Sequence, residues 1–581
     1  MEWLSAALCA VLAVLPVALP AQGIPVDLVI ASTTDVHGRL RGWDYYADTA
    51  ESARGLTRAA TIVDSVRAAN PGRVILVDAG DLLQGNPLTY VAARIDTAAP
   101  HPVIAAMNAM RYDAAVLGNH EFNYGLPALR RALARAAFPF VVANARRPDG
   151  TRAWPAYTLV ERSGMKVALV GATTPGAMVW DRENLAGQVV LHDVIAEVRA
   201  AVDEAREAGA DAVVVIVHGG LTGEASYDTV TSGLGSENPA ARIAHEVQGI
   251  DAIVYGHSHR EMADTSIDGV LLTQPRNWAT SVSIAHLQFE IRGSIWRPIG
   301  RHASIVRAAG HVEQPALVAV VQRGHDAARA YAATVAGRTA VAWRSDSARV
   351  ADVPLMDFVL ETMRRAANAD LASAAAFSLD ARLTAGPITV AQLAQLYPYD
   401  NTLMAVRVTG AQLRAYLEQS ARYFKVTGEG AARRCAPDPA IAGFNFEMVQ
   451  GADYVIDLTR AAGDRITGLR VQGRAVRDAD TFTMALSNYR AGGAGGYAML
   501  RDAPVVHDQQ LEIRQLLIDE VTRRGTLKPA DYHVRNWSVI PASLAAQAYD
   551  AMTRAGDFDA VRPAPPGVRA PAQRPNSTNI P

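Results

Sequence analysis

The sequence is poor in cysteine and lysine. Only Cys9 and Cys435 occur in 581 residues, which excludes a disulfide framework and leaves apolar burial to hold the fold. Lysine appears only at Lys166, Lys425 and Lys528, so arginine carries nearly all the positive charge. Neither sign of charge is in excess. A formal net charge of -2 argues against a surface built to neutralise a nucleic-acid polymer, though not against a small phosphorylated substrate in a local pocket. Past the first segment no run is apolar over the ~20 residues that a membrane span takes. Half of the residues are hydrophobic and a fifth charged, an ordinary globular balance, and the length suggests roughly three units or two large ones.

The first 21 residues read as a secretory signal: an apolar run from Leu4 to Leu19, broken by Pro16, with a plausible cut after Ala21. Glu2 and Leu19 are atypical of such a segment. Cleavage removes Cys9 and leaves Cys435, beside Arg433 and Arg434, as a packing residue rather than a reactive thiol. The expected location is periplasmic or secreted, without stable membrane insertion after cleavage, and a monomer is expected.

Residues 22–310 alternate short apolar runs with amphipathic stretches, the pattern of an α/β domain. The runs begin at Asp27, Arg73, Asp113, Lys166, Ala212 and Asp251, with helices expected near Leu56–Ala68 and Ile195–Ala208. Strands that are apolar on both faces predict a sheet covered by helices on both sides. A linker helix is expected over 311–335, then a second α/β domain over 336–540, with helices near 353–369 and 410–422. Residues 541–581 read as a largely disordered tail, proline-rich around Ala564-Pro-Pro-Gly567.

The chemistry is carried by the residues at the ends of these runs. The first ends in Asp35-Val-His37, the second in Gly80-Asp81, the third in Gly118-Asn119-His120-Glu121, the fifth in His218 and the sixth in Gly256-His257-Ser-His259. Carboxylates and imidazoles suit divalent metals such as Zn²⁺ and Mn²⁺, and ligands of open α/β sheets bind beyond the carboxyl ends of strands. Residues two apart on an extended segment point the same way, which accounts for Asp35 with His37 and His257 with His259. The glycines before Asp81, Asn119 and His257 permit a sharp bend or a close approach. Asp81 is the natural bridging group, since one carboxylate offers an oxygen to each of two cations. Singly, each residue also reads as a turn, a helix cap or a core histidine; five together after five strands do not.

This series resembles the calcineurin-like metallophosphoesterases, with D-x-H, G-D, G-N-H-E, H and G-H-x-H in order. The resemblance implies one divalent metal on Asp35, His37, Asp81 and His259, and a second on Asp81, Asn119, His218 and His257. It makes His120 a catalytic histidine facing the phosphate, with Asn123 placed to orient it. Gly42-Trp-Asp-Tyr-Tyr-Ala-Asp48, Asn119-His-Glu-Phe-Asn-Tyr-Gly125 and Trp180-Asp-Arg-Glu-Asn-Leu-Ala-Gly187 extend the likeness to the 5′-nucleotidase family, in its cyclic-phosphodiesterase/3′-nucleotidase branch. That family clamps the base between two aromatic rings of its second domain. The matching segments nominate Tyr399 and Tyr489, with Tyr397 as the alternative to the former.

Three departures matter. Asn123 stands where many 5′-nucleotidases carry Asp, and Gly492-Gly-Ala-Gly-Gly496 lacks the aspartate of N-G-G-D-G; both favour the cyclic-phosphate branch. The phosphate loop G-G-G-I-R survives only as Ser378-Leu-Asp-Ala-Arg382, making Arg382 either a substrate contact or a solvated charge. The activity implied is hydrolysis of 2′,3′-cyclic nucleotides to 3′-nucleotides and then nucleosides, using hydroxide activated between two metals. A domain rotation would carry the substrate to them. The competing readings are a 5′-nucleotidase or UDP-sugar hydrolase, a thiosulfate-ester hydrolase, and a non-catalytic nucleotide-binding protein.

Overall fold

Each apolar run becomes a strand, but in two sheets rather than one. The computed structural model describes residues 25–555 apart from 224, 226, 228, 294, 400 and 502, so the expected signal over 1–21 lies outside the described residues. In the first sheet Val26–Thr33 pairs antiparallel with Ser281–Arg292 and parallel with Val74–Asp78; Ile295–Arg307 and Ala114–Ala115 form the edges. In the second, Ala212–His218 lies between Met165–Thr173 and Ala252–Tyr255, parallel to both.

The single sheet with helices on both faces is therefore corrected: the two sheets pack face to face and each carries helices outside. Leu28 and Ile30 join Ile75, Val77, Leu169, Val214 and Ile216 in the core between the sheets. Their neighbours Val29 and Ala31 point outward, into a core shared with helix Leu56–Ala69. On the other side Val213 and Val215 pack with helices Val194–Glu207 and Ala240–Glu246. A strand buried on both faces has the same sequence whether a helix or a sheet covers its second face.

Helix Pro315–Ala332 comes next in the chain. Its start is set by Pro315 and by the Gln314 side chain, which accepts the Leu317 N–H. It does not behave as a free linker: Leu317, Val321 and Ala328 are buried in the first domain, and Tyr45 Oη meets His325 Nδ1 at 3.1 Å.

The second domain is built on a five-stranded mixed sheet, ordered Glu447–Gln450, Leu371–Ala375, Thr481–Ser487, Thr402–Thr409 and Val505–Glu512. Helices Pro354–Ala366 and Gly410–Ala421 pack on it, the latter opened by a capping box of Thr409 and Gln412. The expected tail does not begin at 541. Ala542–Ala555 is a helix whose Leu544, Ala548 and Met552, one turn apart, are buried in the second domain's core. Its alanine-rich composition blunts the contrast by which an amphipathic face is recognised. Residues 556–581, with the proline-rich segment, lie outside the described residues. Among the described residues no helix is long and apolar enough to cross a membrane.

Candidate metal centre and substrate cleft

All seven candidate ligands lie at or just beyond the carboxyl ends of strands. Asp35, His37, Asp81 and Asn119 come from the first sheet; His218, His257 and His259 come from the second. The site thus straddles the edge where the sheets meet. Their convergence has a different origin from the extended spacing expected. Asp35 (φ 50), His37 (φ 47), Asp81 (φ 60), His257 (φ 72) and His259 (φ 54) are all left-handed. Such residues cost about 1–3 kcal/mol each and persist only where neighbours over-determine them.

Here the neighbours do. Asp35 N–H donates to Gly80 O at 2.8 Å and His37 N–H to Asp81 O at 2.9 Å, lacing the first two loops together. Glu121 accepts the N–H groups of Asp81, Leu82, Leu83 and Gly118 at 2.6–2.9 Å, tying the second loop to the third. A Cβ on Gly118 would stand 2.1 Å from Asp81 Oδ1, and one on Gly256 2.1 Å from Thr34 Oγ1. These two glycines serve close approach rather than bending.

The donor atoms fall into two groups: those of Asp35, His37 and His259, and those of Asp81, His218 and His257, each within 4.8 Å of one another. Asp81 Oδ2 reaches both, at 3.2 Å from His218 Nε2 and 3.8 Å from His37 Nε2. His37 Nε2 and His259 Nε2 face each other at 3.2 Å, and Asn119 Oδ1 lies 3.2 Å from His218 Nε2. Three imidazoles engage an outer oxygen with their other nitrogen: His37 Nδ1 with Gln84 O (3.0 Å), His218 Nδ1 with Ala79 O (2.7 Å) and His257 Nε2 with Glu237 Oε1 (2.8 Å). An imidazole anchored this way presents its remaining nitrogen to a cation.

The charges suit the same role. Burial opposes ionisation of Asp35 and Asp81, yet the surrounding histidines overcome it, holding Asp35 at about 2 and Asp81 well below the usual carboxylate range. Burial lowers His37 to about 3, so its ring is neutral. His218, despite burial, is lifted to about 10 by Asp81; a proton and a cation compete for its nitrogen. The residues present fit divalent metal ions.

His120 stands beside this group, its ring edge-on to His37 at 5.2 Å. Its Nδ1 donates to Asn123 Oδ1 at 2.7 Å, and Asn123 Nδ2 donates to Asp181 Oδ1 at 2.8 Å. Burial works against its protonation, but Asp81 and Asn123 raise it overall. Asp181 is itself pushed up to about 6 by burial. The carboxylate missing at position 123 is thus supplied from Asp181, one amide further away.

The second domain closes the cleft, which encloses about 500 Å³. Candidate ligands His37, Asn119, His257 and His259, with His120 and Asn123, line one wall; Pro398, Tyr399, Asn401, Thr402, Asn488 and Tyr489 line the other. Tyr399 and Tyr489 are 37% and 42% exposed, unusual for large rings and suited to receiving a planar ligand. Tyr397 is 1% exposed and packs edge-on against Phe377 at 4.9 Å, so it is core rather than an alternative to Tyr399. Arg382 does not come to the cleft. It lies exposed on the short strand Arg382–Leu383, where pairing with Trp343–Arg344 buries Leu383 and turns Arg382 outward. Cys435 is buried and its thiol pushed up to about 11 by that burial, which makes it unreactive.

Sequence reasoning missed five residues of this site: Asp181, Glu237, Arg39, Arg54 and Trp278, all lining the cleft. Only Asp181 lay in a segment singled out by its likeness, Trp180-Asp-Arg-Glu-Asn.

Residues 28–261 match the calcineurin-like phosphoesterases and residues 333–502 the 5′-nucleotidase C-terminal domain. The 2′,3′-cyclic-nucleotide 2′-phosphodiesterase/3′-nucleotidase of Salmonella typhimurium is 31% identical, over 90% of both chains. The trifunctional nucleotide phosphoesterase protein YfkN of Bacillus subtilis is 30% identical over 89% of this chain, which spans only 39% of that longer protein. A Staphylococcus aureus 5′-nucleotidase structure, solved with alpha-ketoglutarate, superposes with a TM-score of 0.72 at 25% identity, over 88% of this chain and all of that one. The chain belongs to the family of 2′,3′-cyclic-nucleotide 2′-phosphodiesterase/3′-nucleotidases.

Proposed function

We propose that this protein hydrolyses 2′,3′-cyclic nucleotides to 3′-nucleotides and then removes the 3′-phosphate, using two divalent cations, zinc or manganese, in the periplasm or outside the cell. One observation carries the reading. A ligand set for two cations and His120 face, across a single cleft, two exposed tyrosines on the other domain. Phosphoester chemistry and base stacking are thereby offered to one small molecule.

Asp35, His37, Asp81 and His259 would hold one cation, and Asp81, Asn119, His218 and His257 the other. When bound, the cations supply Lewis acidity to the phosphoryl oxygens and lower the pKa of the attacking water. Tyr399 and Tyr489 hold the base, each stacking contact being worth roughly 1–3 kcal/mol. His120, with Nδ1 committed to Asn123, offers Nε2 to the leaving sugar oxygen. In the first step the P–O2′ bond breaks and O2′ takes a proton; in the second the P–O3′ bond breaks and O3′ takes one. Each step consumes one water, and the product of the first must shift before the second.

Rates on 2′,3′-cyclic AMP, 3′-AMP and 5′-AMP test the proposal. Turnover of the first two well above the third is expected, and a preference for 5′-AMP would place the protein with the 5′-nucleotidases instead.

A further inference from the structure

Within the cleft, the wall formed by Arg39, Arg54 and Trp278 has no part in the chemistry above. Both guanidinium carbons lie close to the Trp278 ring, at 5.2 Å for Arg39 and 5.1 Å for Arg54. The wall is fixed to the metal loops. Trp278 is itself left-handed (φ 61), its N–H donates to Asp35 O at 2.8 Å, and its carbonyl accepts the Gly55 N–H at 3.2 Å. Arg39 stands two residues beyond His37.

The two positive charges are buried and under-compensated. Arg39 is 6% and Arg54 5% exposed, and the Nε of each is buried without a hydrogen-bond partner. Arg54 reaches Asp44 only at 3.4 Å, and the other oxygen of Asp44 is taken by the N–H groups of Tyr46 and Ala47. Arg39 makes one long contact, 3.5 Å, to Gly85 O. Burial and the neighbouring Arg39 bring Arg54 down to about 10. Buried charges are normally paired, and removing the partner of such a charge is costly. Two adjacent guanidinium forks facing a cleft with spare donors match a phosphate. With Arg382 on the outer surface, Arg39 and Arg54 are also the only arginines or lysines among the described residues lining the cleft.

We propose that Arg39 and Arg54, braced by Trp278, form a second anion subsite, which receives a phosphate of the substrate other than the one being hydrolysed. The preferred substrates are then nucleotides that carry a 5′-phosphate as well as the 3′- or 2′,3′-cyclic phosphate. The inference rests on the nucleotide reading above. The chemistry is unchanged: water oxygen bonds to phosphorus, the P–O3′ bond breaks, the proton ends on O3′, and the 5′-phosphate stays in place.

The test compares kcat/KM for adenosine 3′,5′-bisphosphate with that for 3′-AMP, in the full-length metal-loaded protein and in R39Q/R54Q. The native protein should favour the bisphosphate, less so as salt rises. The double variant should lower the bisphosphate-to-monophosphate ratio roughly 10- to 100-fold, the size of one or two charge-assisted hydrogen bonds. An unchanged ratio overturns the subsite, whether both rates fall together, which would put the arginines on the scissile phosphate, or neither falls. R39K and R54K, which keep the charge but lose the fork, should give intermediate ratios and cover a folding defect in the double variant. If the native protein fails to turn over 3′-AMP, the parent reading falls by itself. The subsite is then judged by inhibition of bis-p-nitrophenyl phosphate hydrolysis by the bisphosphate, which should be stronger for the native protein than for R39Q/R54Q; equal inhibition overturns it.

Discussion

Among the described residues two places gather two aspartates with histidine, and they have opposite characters. At the strand ends of the first domain, Asp35 and Asp81 face four imidazoles and are held ionised. In the second domain, Asp352 and Asp357 meet one imidazole, His533, whose Nδ1 lies 2.7 Å from Asp357 Oδ2. Burial, with Asp352 alongside, pushes Asp357 up to about 8. The second group lines no part of the cleft, and it ties the start of helix Pro354–Ala366 to the segment before strand Trp537–Ile540. Ligand-type residues in proximity do not make a cation site. The ratio of imidazole nitrogens to carboxylates, and an opening to substrate, separate the two.

The largest test of that contrast is Asp81→Ala beside Asp357→Asn. Asp81→Ala should lose both metals and more than ~1,000-fold in kcat, on the scale of removing a metal-borne catalytic step; Asp357→Asn should keep metal content and rate. Full metal content in Asp81→Ala by elemental analysis would refute the bridging role, and metal loss in Asp357→Asn would make the second cluster a cation site.

Next in size is the base clamp. Tyr399→Ala with Tyr489→Ala should raise KM for 3′-AMP by about 10- to 100-fold, from the stacking of one base, and far more than it raises KM for bis-p-nitrophenyl phosphate. Equal effects on the two substrates would count against stacking. Smaller again is the positioning of His120. Asp181→Asn should lower kcat about tenfold with little change in KM, as loss of an outer partner does, and adding Asn123→Asp should restore much of it by returning the carboxylate directly to the imidazole. No rescue would mean that Asp181 acts through packing.

The last test reads stability rather than rate. Asp357 sits at about 8 when folded, above the ~3.9 of an unfolded aspartate. Its contribution is fully present below about pH 4 and is lost as pH rises through about 8, because unfolding releases the proton across that window. Chemical denaturation between pH 4 and 8 should show that slope in the native protein and its loss in Asp357→Asn; parallel curves would mean that folding does not raise Asp357.

The candidate ligands were legible because each stands within a few residues of the end of an apolar strand, so the one-dimensional pattern already orders them. Asp181 and Arg54 were not legible, since Asp181 is hydrogen-bonded to Asn123, 58 positions away, and nothing near Arg54 in the chain says that its Nε is buried without a hydrogen-bond partner. Arg382 was left open between two readings because a two-residue strand decides its facing, and helix Ala542–Ala555 was missed because alanine carries little hydropathic contrast.

By itself, then, the sequence determined the strands, the ligand types and their order, and the second domain with its two tyrosines. The strands and the ligand types come from local periodicity, glycine placement and motif spacing, all short-range in the chain; the two tyrosines come from the family resemblance. The tertiary structure alone decided that two sheets rather than one carry the candidate ligands, and that left-handed turns rather than extended spacing aim them. It also decided which charges are satisfied. Burial and charge balance are sums over neighbours distant in sequence, and those exist only once the chain is folded.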